Sequence, residues 1–423
     1  MLTKIHHQDP GFWTSVAAVL LVGSMPFSPF LLSVGMWCLV AVALWSAWLQ
    51  HPKGLLSVLR YSWGRFVENR VLLVLSLLFW VPVLSIAWSE DLASWLTRVR
   101  VRLPFLILPW AFANLPLLRL RQLAAPIYAS LLVMVVLSAG VLVNFLLEPE
   151  LILNGLKEGQ PVPVPRHHIR FSLIMVATIL SAGWLSLQRH YWSSARERLF
   201  FGIGILFLVV TLHVLTVRSA LVAFYAGLLF TLLRFWWKTR NWKLGVLALI
   251  ILSMVPVITY FTVESVRNRI AYMRYDWEQF RSDKGGANYS DAERFVSLDV
   301  GLRIWLENPL LGVGVGDLEL ENQRMTDRIH PEYSDTPKLP HNQWIYILAS
   351  TGLLGFLLSG LAWIYPLFFF KYRKNYLFLS FQVLVFVSFL VEYTLETSIG
   401  AAFCLFFQLW WIKMAEAQKD YQL

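Results

Sequence analysis

Apolar runs close to the ~20 residues that a helix needs to cross a bilayer recur along the whole chain. They fall near residues 11–27, 29–49, 71–88, 98–116, 123–147, 171–187, 199–217, 219–236, 244–262, 343–369, 376–394 and 397–413. No other feature limits the fold so strongly. In hydrocarbon, each backbone N–H and C=O must find its partner within the protein, which leaves helices or a closed barrel. A barrel would alternate apolar and polar residues, and these runs are continuous. Only 15% of the residues are charged, against about a quarter in soluble domains. The sequence therefore predicts an all-α polytopic membrane protein of about twelve transmembrane helices. Helices one to nine occupy residues 1–262. One large loop domain with short helices fills 263–342, between helices nine and ten. Helices ten to twelve and a short tail make up 343–423.

The short loops set the expected orientation through their Lys and Arg residues. One side collects Lys53, Arg60, Arg65 and Arg70, then Arg119 and Arg121, then Arg189, Arg196 and Arg198, then Arg234, Lys238, Arg240 and Lys243, then Lys371, Arg373 and Lys374. That side reads as cytoplasmic, with both termini on it. Segments 148–170 and 263–342 then lie outside. The large loop carries ten basic and fourteen acidic residues, and long loops escape the charge rule. The first apolar run passes through Ser24-Met25-Pro26 straight into the second, without the small-x-small pattern of a cleaved signal. A net charge of +10 suits contact with anionic membrane lipids and gives no separate reason to expect nucleic acid. Cys38 and Cys404 both sit in apolar runs and read as core or lipid-facing thiols, with a disulfide left open.

Against this apolar background, four outer groups of polar residues stand out: Arg98, Arg100 and Arg102; Arg166, His167, His168 and Arg170; Arg218; and Arg294 with His341. Arginine at an outer face runs against the usual bias and needs a partner. Its planar fork suits phosphate and pyrophosphate oxygens. Arg218 occupies a tight break between two runs, as an interface anchor or an anion ligand. Alternate spacing spreads Arg98, Arg100 and Arg102 around a helix, where snorkelling at the interface is the simpler account. His167 and His168 are adjacent and should point apart, which makes a weak metal pair. His341 opens a helix, either as a plain cap or as a neutral imidazole able to take a proton from a hydroxyl.

The stretch Ser290 to Leu358 concentrates the motifs. Ser290-Asp291-Ala292-Glu293 has capping-box spacing. Phe295, Leu298, Leu302 and Trp305 recur at helical spacing, and Asn308-Pro309 should end that helix. Gly312, Gly314 and Gly316 then predict a flexible turn. This Gly-rich piece lacks the Lys-Ser/Thr of a phosphate loop. Asp317, Glu319 and Glu321 alternate as a solvated face would. The expected chemistry uses no metal and no cofactor.

At these residues the chain resembles the O-antigen ligase and O-antigen polymerase superfamily of bacterial envelopes. The resemblance is carried by Glu307-Asn308-Pro309-Leu310-Leu311-Gly312-Val313-Gly314, by Pro340-His341-Asn342, by Ser350-Thr351-Gly352-Leu353-Leu354-Gly355, and by Arg218-Ser219 at the start of a span. It implies a membrane glycosyltransferase of the GT-C type in the bacterial inner membrane, with its active site facing the periplasm. It implies an undecaprenyl-pyrophosphate-linked glycan as donor and, for a ligase, lipid A–core as acceptor. By that resemblance His341, Arg218 and Arg294 are catalytic, and Arg218, Arg294, Arg170 and Arg166 hold the donor pyrophosphate. Glu392 and Glu396 are candidates to orient an arginine. The ligase is the favoured member, on chain length and on the absence of a C-terminal extension. A polymerase is the alternative, and a polytopic lipid or glycan transporter is the alternative of another class. Transporters tend to show internal repeats and mid-membrane polar groups, which this chain lacks.

Overall fold

The computed structural model describes residues 9–187, 195–281 and 290–420. The protein is an all-α polytopic membrane protein, with no strand among the described residues. Helices α1 (Pro10–Ser24) and α2 (Pro29–Gln50) begin alike. Asp9 and Ser28 accept the backbone N–H of Gly11 and Leu31 at 2.8 and 3.3 Å, and a proline is the first helical residue of each. A proline costs nothing there, because that N–H has no helical acceptor. Helix α3 (Leu55–Glu68) lies where the sequence presented a basic loop. It buries Val58, Ser62 and Phe66 and leaves Leu56, Leu59, Trp63 and Val67 exposed.

The third span is α4 (Arg70–Leu75) followed by α5 (Leu77–Leu84). The fourth expected span, 98–116, is instead two helices, α6 (Leu92–Arg102) and α7 (Pro104–Asn114). Pro104 has no N–H to carry the ladder across the junction. The three arginines of this region therefore belong to α6, ahead of the apolar stretch. Next come α8 (Leu120–Leu147), α9 (Pro149–Lys157), α10 (His168–Ser186), α11 (Ala195–Leu215), α12 (Arg218–Thr239) and α13 (Trp242–Thr262). Helix α10 is central, with 78% of its apolar window buried, whereas α13 is peripheral at 6%.

Segment 263–342 contains α14 (Glu264–Arg281), α15 (Ser290–Glu307) and α16 (Leu318–Ile329). The chain closes with α17 (Gln343–Ile364), α18 (Phe370–Arg373), α19 (Tyr376–Val391) and α20 (Ser398–Asp420). Among the described residues, nine helical stretches are long and apolar enough to cross a membrane, and α1 and α19 are shorter apolar helices. Helix α15 starts at Ser290 and ends just before Asn308-Pro309. The side chains of Ser290 and Asp291, on which the capping box rests, lie outside what is described. The buried stripe of α15 is Ala292, Val296, Val300 and Ile304, which joins Leu318, Met325, Tyr346 and Ala349 in a small core. The bulkier Phe295 and Leu302 are 48 and 38% exposed. The slimmer stripe lets α15 approach α16 and α17 closely and turns the larger side chains outward.

The Gly-rich segment is not a flexible turn. Helix α17 is interrupted at Gly352, with φ 64° and ψ −167°. The backbone groups freed there pair with 309–314. Val313 and Gly314 donate to Ala349 O and Ser350 O at 3.0 and 2.8 Å, and Leu353 and Leu354 donate to Pro309 O and Leu310 O at 2.8 and 3.2 Å. A broken helix is tolerated in a membrane protein when its backbone is satisfied in this way. A Cβ on Gly312 would stand 2.5 Å from Ser350 C, and one on Gly352 would stand 2.3 Å from Leu310 C. These two glycines are needed because backbone packs on backbone. The segment continues onto the start of α6: Asp317 accepts the N–H of Glu90 and Asp91 at 2.8 and 2.7 Å.

Candidate active site

Arg218, Arg294 and His341 come from three elements far apart in the chain, and they line one cavity of about 620 Å³. Arg218 is the first residue of α12, Arg294 lies on the first turns of α15, and His341 precedes α17. Arg274 of α14 joins them, and Phe295, Leu298, Leu390 and Val391 supply the apolar wall. The outward-facing stripe of α15 thus lines a cavity. Arg218 and Arg294 also border a narrow cleft of about 20 Å³, together with His168 and Arg269. Four arginines therefore surround this region. Such a volume suits a small polar headgroup with its first sugar, and the fixed positive charge selects an anion.

His341 does not cap its helix. Asn342 does, its Oδ1 accepting the N–H of Trp344 and Ile345 at 2.9 and 3.1 Å. His341 is held from the side by Ser297 of α15. Ser297 Oγ donates to Arg294 O at 2.7 Å, accepts His341 N–H at 3.3 Å and faces His341 Nδ1 at 3.4 Å. With the hydroxyl proton already committed to Arg294 O, Oγ can only accept from the ring. That contact is satisfied by the tautomer with its proton on Nδ1, which leaves Nε2 its lone pair. Burial first, then the positive charge of Arg294 and Lys338, holds the imidazole at about 4, well below its ordinary 6.5. It is neutral at pH 7. The Tyr393 ring stands edge-on to it at 5.5 Å.

Two buried carboxylates brace the arginines. Glu392, 5% exposed, lies 3.8 Å from Arg170 and 3.7 Å from Arg294. Burial raises its pKa against the pull of both guanidinium groups. Arg170, itself buried, also donates to Thr397 Oγ1 at 3.2 Å and to His167 Nδ1 at 3.2 Å. Burial and the neighbouring Arg170 keep His167 at about 4, so its nitrogen can accept. Past the extended Glu392, Glu396 pairs with Arg102 of α6 and accepts Gln343 Nε2 at 2.8 Å.

A family model described as O-antigen ligase matches residues 203–360, a stretch that holds Arg218, Arg294 and His341. Over that stretch the chain is similar to the O-antigen ligase and polymerase superfamily. No curated protein matches it significantly. The match supports ligase- or polymerase-type function for this multi-pass membrane protein.

The residues read from sequence divide in two. Arg218, Arg294 and His341 converge directly, and Arg170 reaches the cavity arginine Arg294 only through Glu392. Arg166 is exposed and borders neither the cavity nor the cleft. His167 and His168 do not point apart. Their rings stack at 5.0 Å and 9°, because His167 has extended backbone while His168 is already helical. Arg98, Arg100 and Arg102 are not equivalent anchors. Arg102 is 4% exposed and bound to Glu396, Arg98 pairs with Glu319, and Arg100 is exposed. Arg269, Arg274 and Ser297 were missed. They sit among many charged and polar residues of segment 263–342, with no local signal to separate them. Cys38 and Cys404 are free thiols.

Proposed function

We infer that this protein is an O-antigen ligase. In this reading it takes a glycan from undecaprenyl pyrophosphate and gives it to a sugar hydroxyl of lipid A–core. It would do so as a GT-C-type glycosyltransferase of the bacterial inner membrane, with segment 263–342 and the cavity on the periplasmic side and both termini in the cytoplasm. The observation that carries the reading is the convergence of Arg218, Arg294 and a neutral His341 on one cavity.

Arg218 and Arg294 hold the pyrophosphate and offset the charge that grows on it as the sugar–oxygen bond breaks. His341 Nε2 takes the proton of the acceptor hydroxyl while that oxygen attacks the anomeric carbon. One displacement inverts that centre, and the pyrophosphate leaves with the bond's electron pair. Guanidinium groups do the work of a cation. Asp317 and Glu319, the nearest acidic pair by sequence, are occupied by backbone N–H groups and Arg98.

A ligase is favoured over a polymerase because a polymerase must seat two pyrophosphates. Of the outer arginines Arg98, Arg100 and Arg102, the first and last are paired with Glu319 and Glu396, which leaves Arg100 alone and so no second cluster among them. The test is a deletion strain. A ligase mutant goes on making long undecaprenyl-linked polymer and leaves its core uncapped. Core capped with a single repeat unit would make the protein a polymerase. A purified protein unable to transfer glycan to lipid A–core or to lipid-linked glycan would overturn both readings.

A further inference from the structure

A second polar cavity, of about 470 Å³, opens at the other end of the bundle, lined by Arg65, Glu68, Arg70, Lys371, Tyr372 and Glu416. Helix α20 leaves the site at Ser398, beside Glu396, and reaches Glu416 roughly 27 Å further on, at about 1.5 Å per residue. No residue of this cavity borders the first. Glu416 is already engaged, accepting from Lys371 Nζ at 3.1 Å and Tyr372 Oη at 3.0 Å. Arg65 donates to a neutral acceptor, Gln50 Oε1, at 2.8 Å. With Lys371 set against Glu416 and Glu68 against one of the two arginines, Arg65 and Arg70 leave the cavity one net positive charge.

Helix α3 sets the depth of this cavity in the membrane. Its 14 residues are too few to span a bilayer. One arc packs Val58, Ser62 and Phe66 onto the bundle, where α3 meets α2 and α7. The next arc carries Leu56, Leu59, Trp63 and Val67, between 41 and 84% exposed, and the opposite arc carries Arg60, Tyr61, Arg65 and Glu68. A short helix with an exposed apolar arc and a basic arc lies along the boundary between headgroups and acyl chains. Arg65 and the cavity mouth are at its C-terminal end, level with the headgroups.

We propose that this cavity binds the phosphate of an anionic phospholipid, whose acyl chains lie along the exposed face of α3. Basic pockets between membrane helices take such headgroups. The geometry offers two guanidinium forks to the phosphate and Leu56, Leu59, Trp63 and Val67 to the chains. The site is independent of glycan transfer and stands whichever reaction the other cavity performs.

The full chain, reconstituted with equimolar phosphatidylglycerol and phosphatidylcholine, is extracted in mild detergent and its retained lipids are counted by native mass spectrometry. Wild-type protein retains phosphatidylglycerol about tenfold over phosphatidylcholine, the weight of one or two arginines near a surface. R65Q/R70Q drops to parity, and R65K/R70K, which keeps the charge, retains most of the preference. Equal retention by wild type and R65Q/R70Q overturns the proposal, as does loss in the lysine variant equal to that in the glutamine variant. Displacement of the lipid by millimolar inorganic phosphate also overturns it, since the site would then take free phosphate.

Discussion

Gly352→Ala tests the packing that presents His341. The residue holds φ 64° and ψ −167°, a region essentially reserved for glycine, where any other residue is strained by about 1–3 kcal/mol. The added methyl would also stand 2.3 Å from Leu310 C, a backbone atom that cannot rotate aside. Relieving that contact must stretch the neighbouring bonds from Leu353 N to Pro309 O and Leu354 N to Leu310 O, each worth about 1 kcal/mol net. The expected loss is about 3–5 kcal/mol, at the upper end for a single substitution. Gly360→Ala is the control. It lies in the same helix with nothing within 4 Å of its would-be Cβ, so alanine there is neutral or stabilising by up to ~1 kcal/mol. Both variants are melted in one detergent by tryptophan fluorescence, and glycan transfer is measured below the melting range. G352A should melt several degrees low and transfer poorly, while G360A should match or exceed wild type. Equal melting of G352A and wild type, or equal damage from both alanines, would refute the argument that backbone contact dictates glycine at this position.

Other expectations follow from the site. His341 has its folded pKa depressed to about 4 from 6.5, so the base form survives down through that interval. The acid limb of kcat should fall near pH 4–5, and any stability the neutral ring contributes is lost as pH drops below 6.5 toward 4; an acid limb at 6.5 that disappears in H341A would contradict this. H341A itself should fold and insert but lose roughly 10²–10⁴ in kcat; wild-type turnover from folded protein removes its role as base. Arg218→Lys and Arg294→Lys should each bind donor poorly, since a point charge lacks the fork that grips a pyrophosphate; full donor affinity in both would reduce them to anchors. Arg102→Met leaves Glu396 buried without its cation, at a cost of about 3–5 kcal/mol, and the double variant R102M/E396Q should recover much of that. Denaturant titration of single against double reads the difference, and a double variant no better than the single would mean that the pair is not the unit that matters.

Much of this could be read from the chain alone. Membrane spans depend on local composition, because the bilayer acts on each ~20-residue stretch separately. The apolar runs were legible for that reason, and the end of α15 was legible from Asn308-Pro309. Arg218, Arg294 and His341 were singled out as polar residues at the edge of those runs and by the resemblance, and the fold places them on one cavity. Helix α3 was missed because its basic arc resembles a topological loop, although its 3.6-residue apolar spacing was there to be counted. The division at Pro104 was likewise visible as a proline inside an apolar run.

What could not be read was partnership. Arg98, Arg100 and Arg102 look alike along the chain, yet Arg102 is buried on Glu396 and Arg100 is exposed. The difference depends on which carboxylate the last two spans bring alongside α6. Phe295 and Val296 are equally apolar, and which one enters the core depends on how closely α16 and α17 approach. Gly312 and Gly352 read as freedom in the chain, whereas in the fold they are the contact between two backbones. The sequence determines which segments must leave water, since that is a property of each segment. Which charge meets which, and which face of a helix lines the cavity, are properties of pairs of segments, and only packing brings the pairs together.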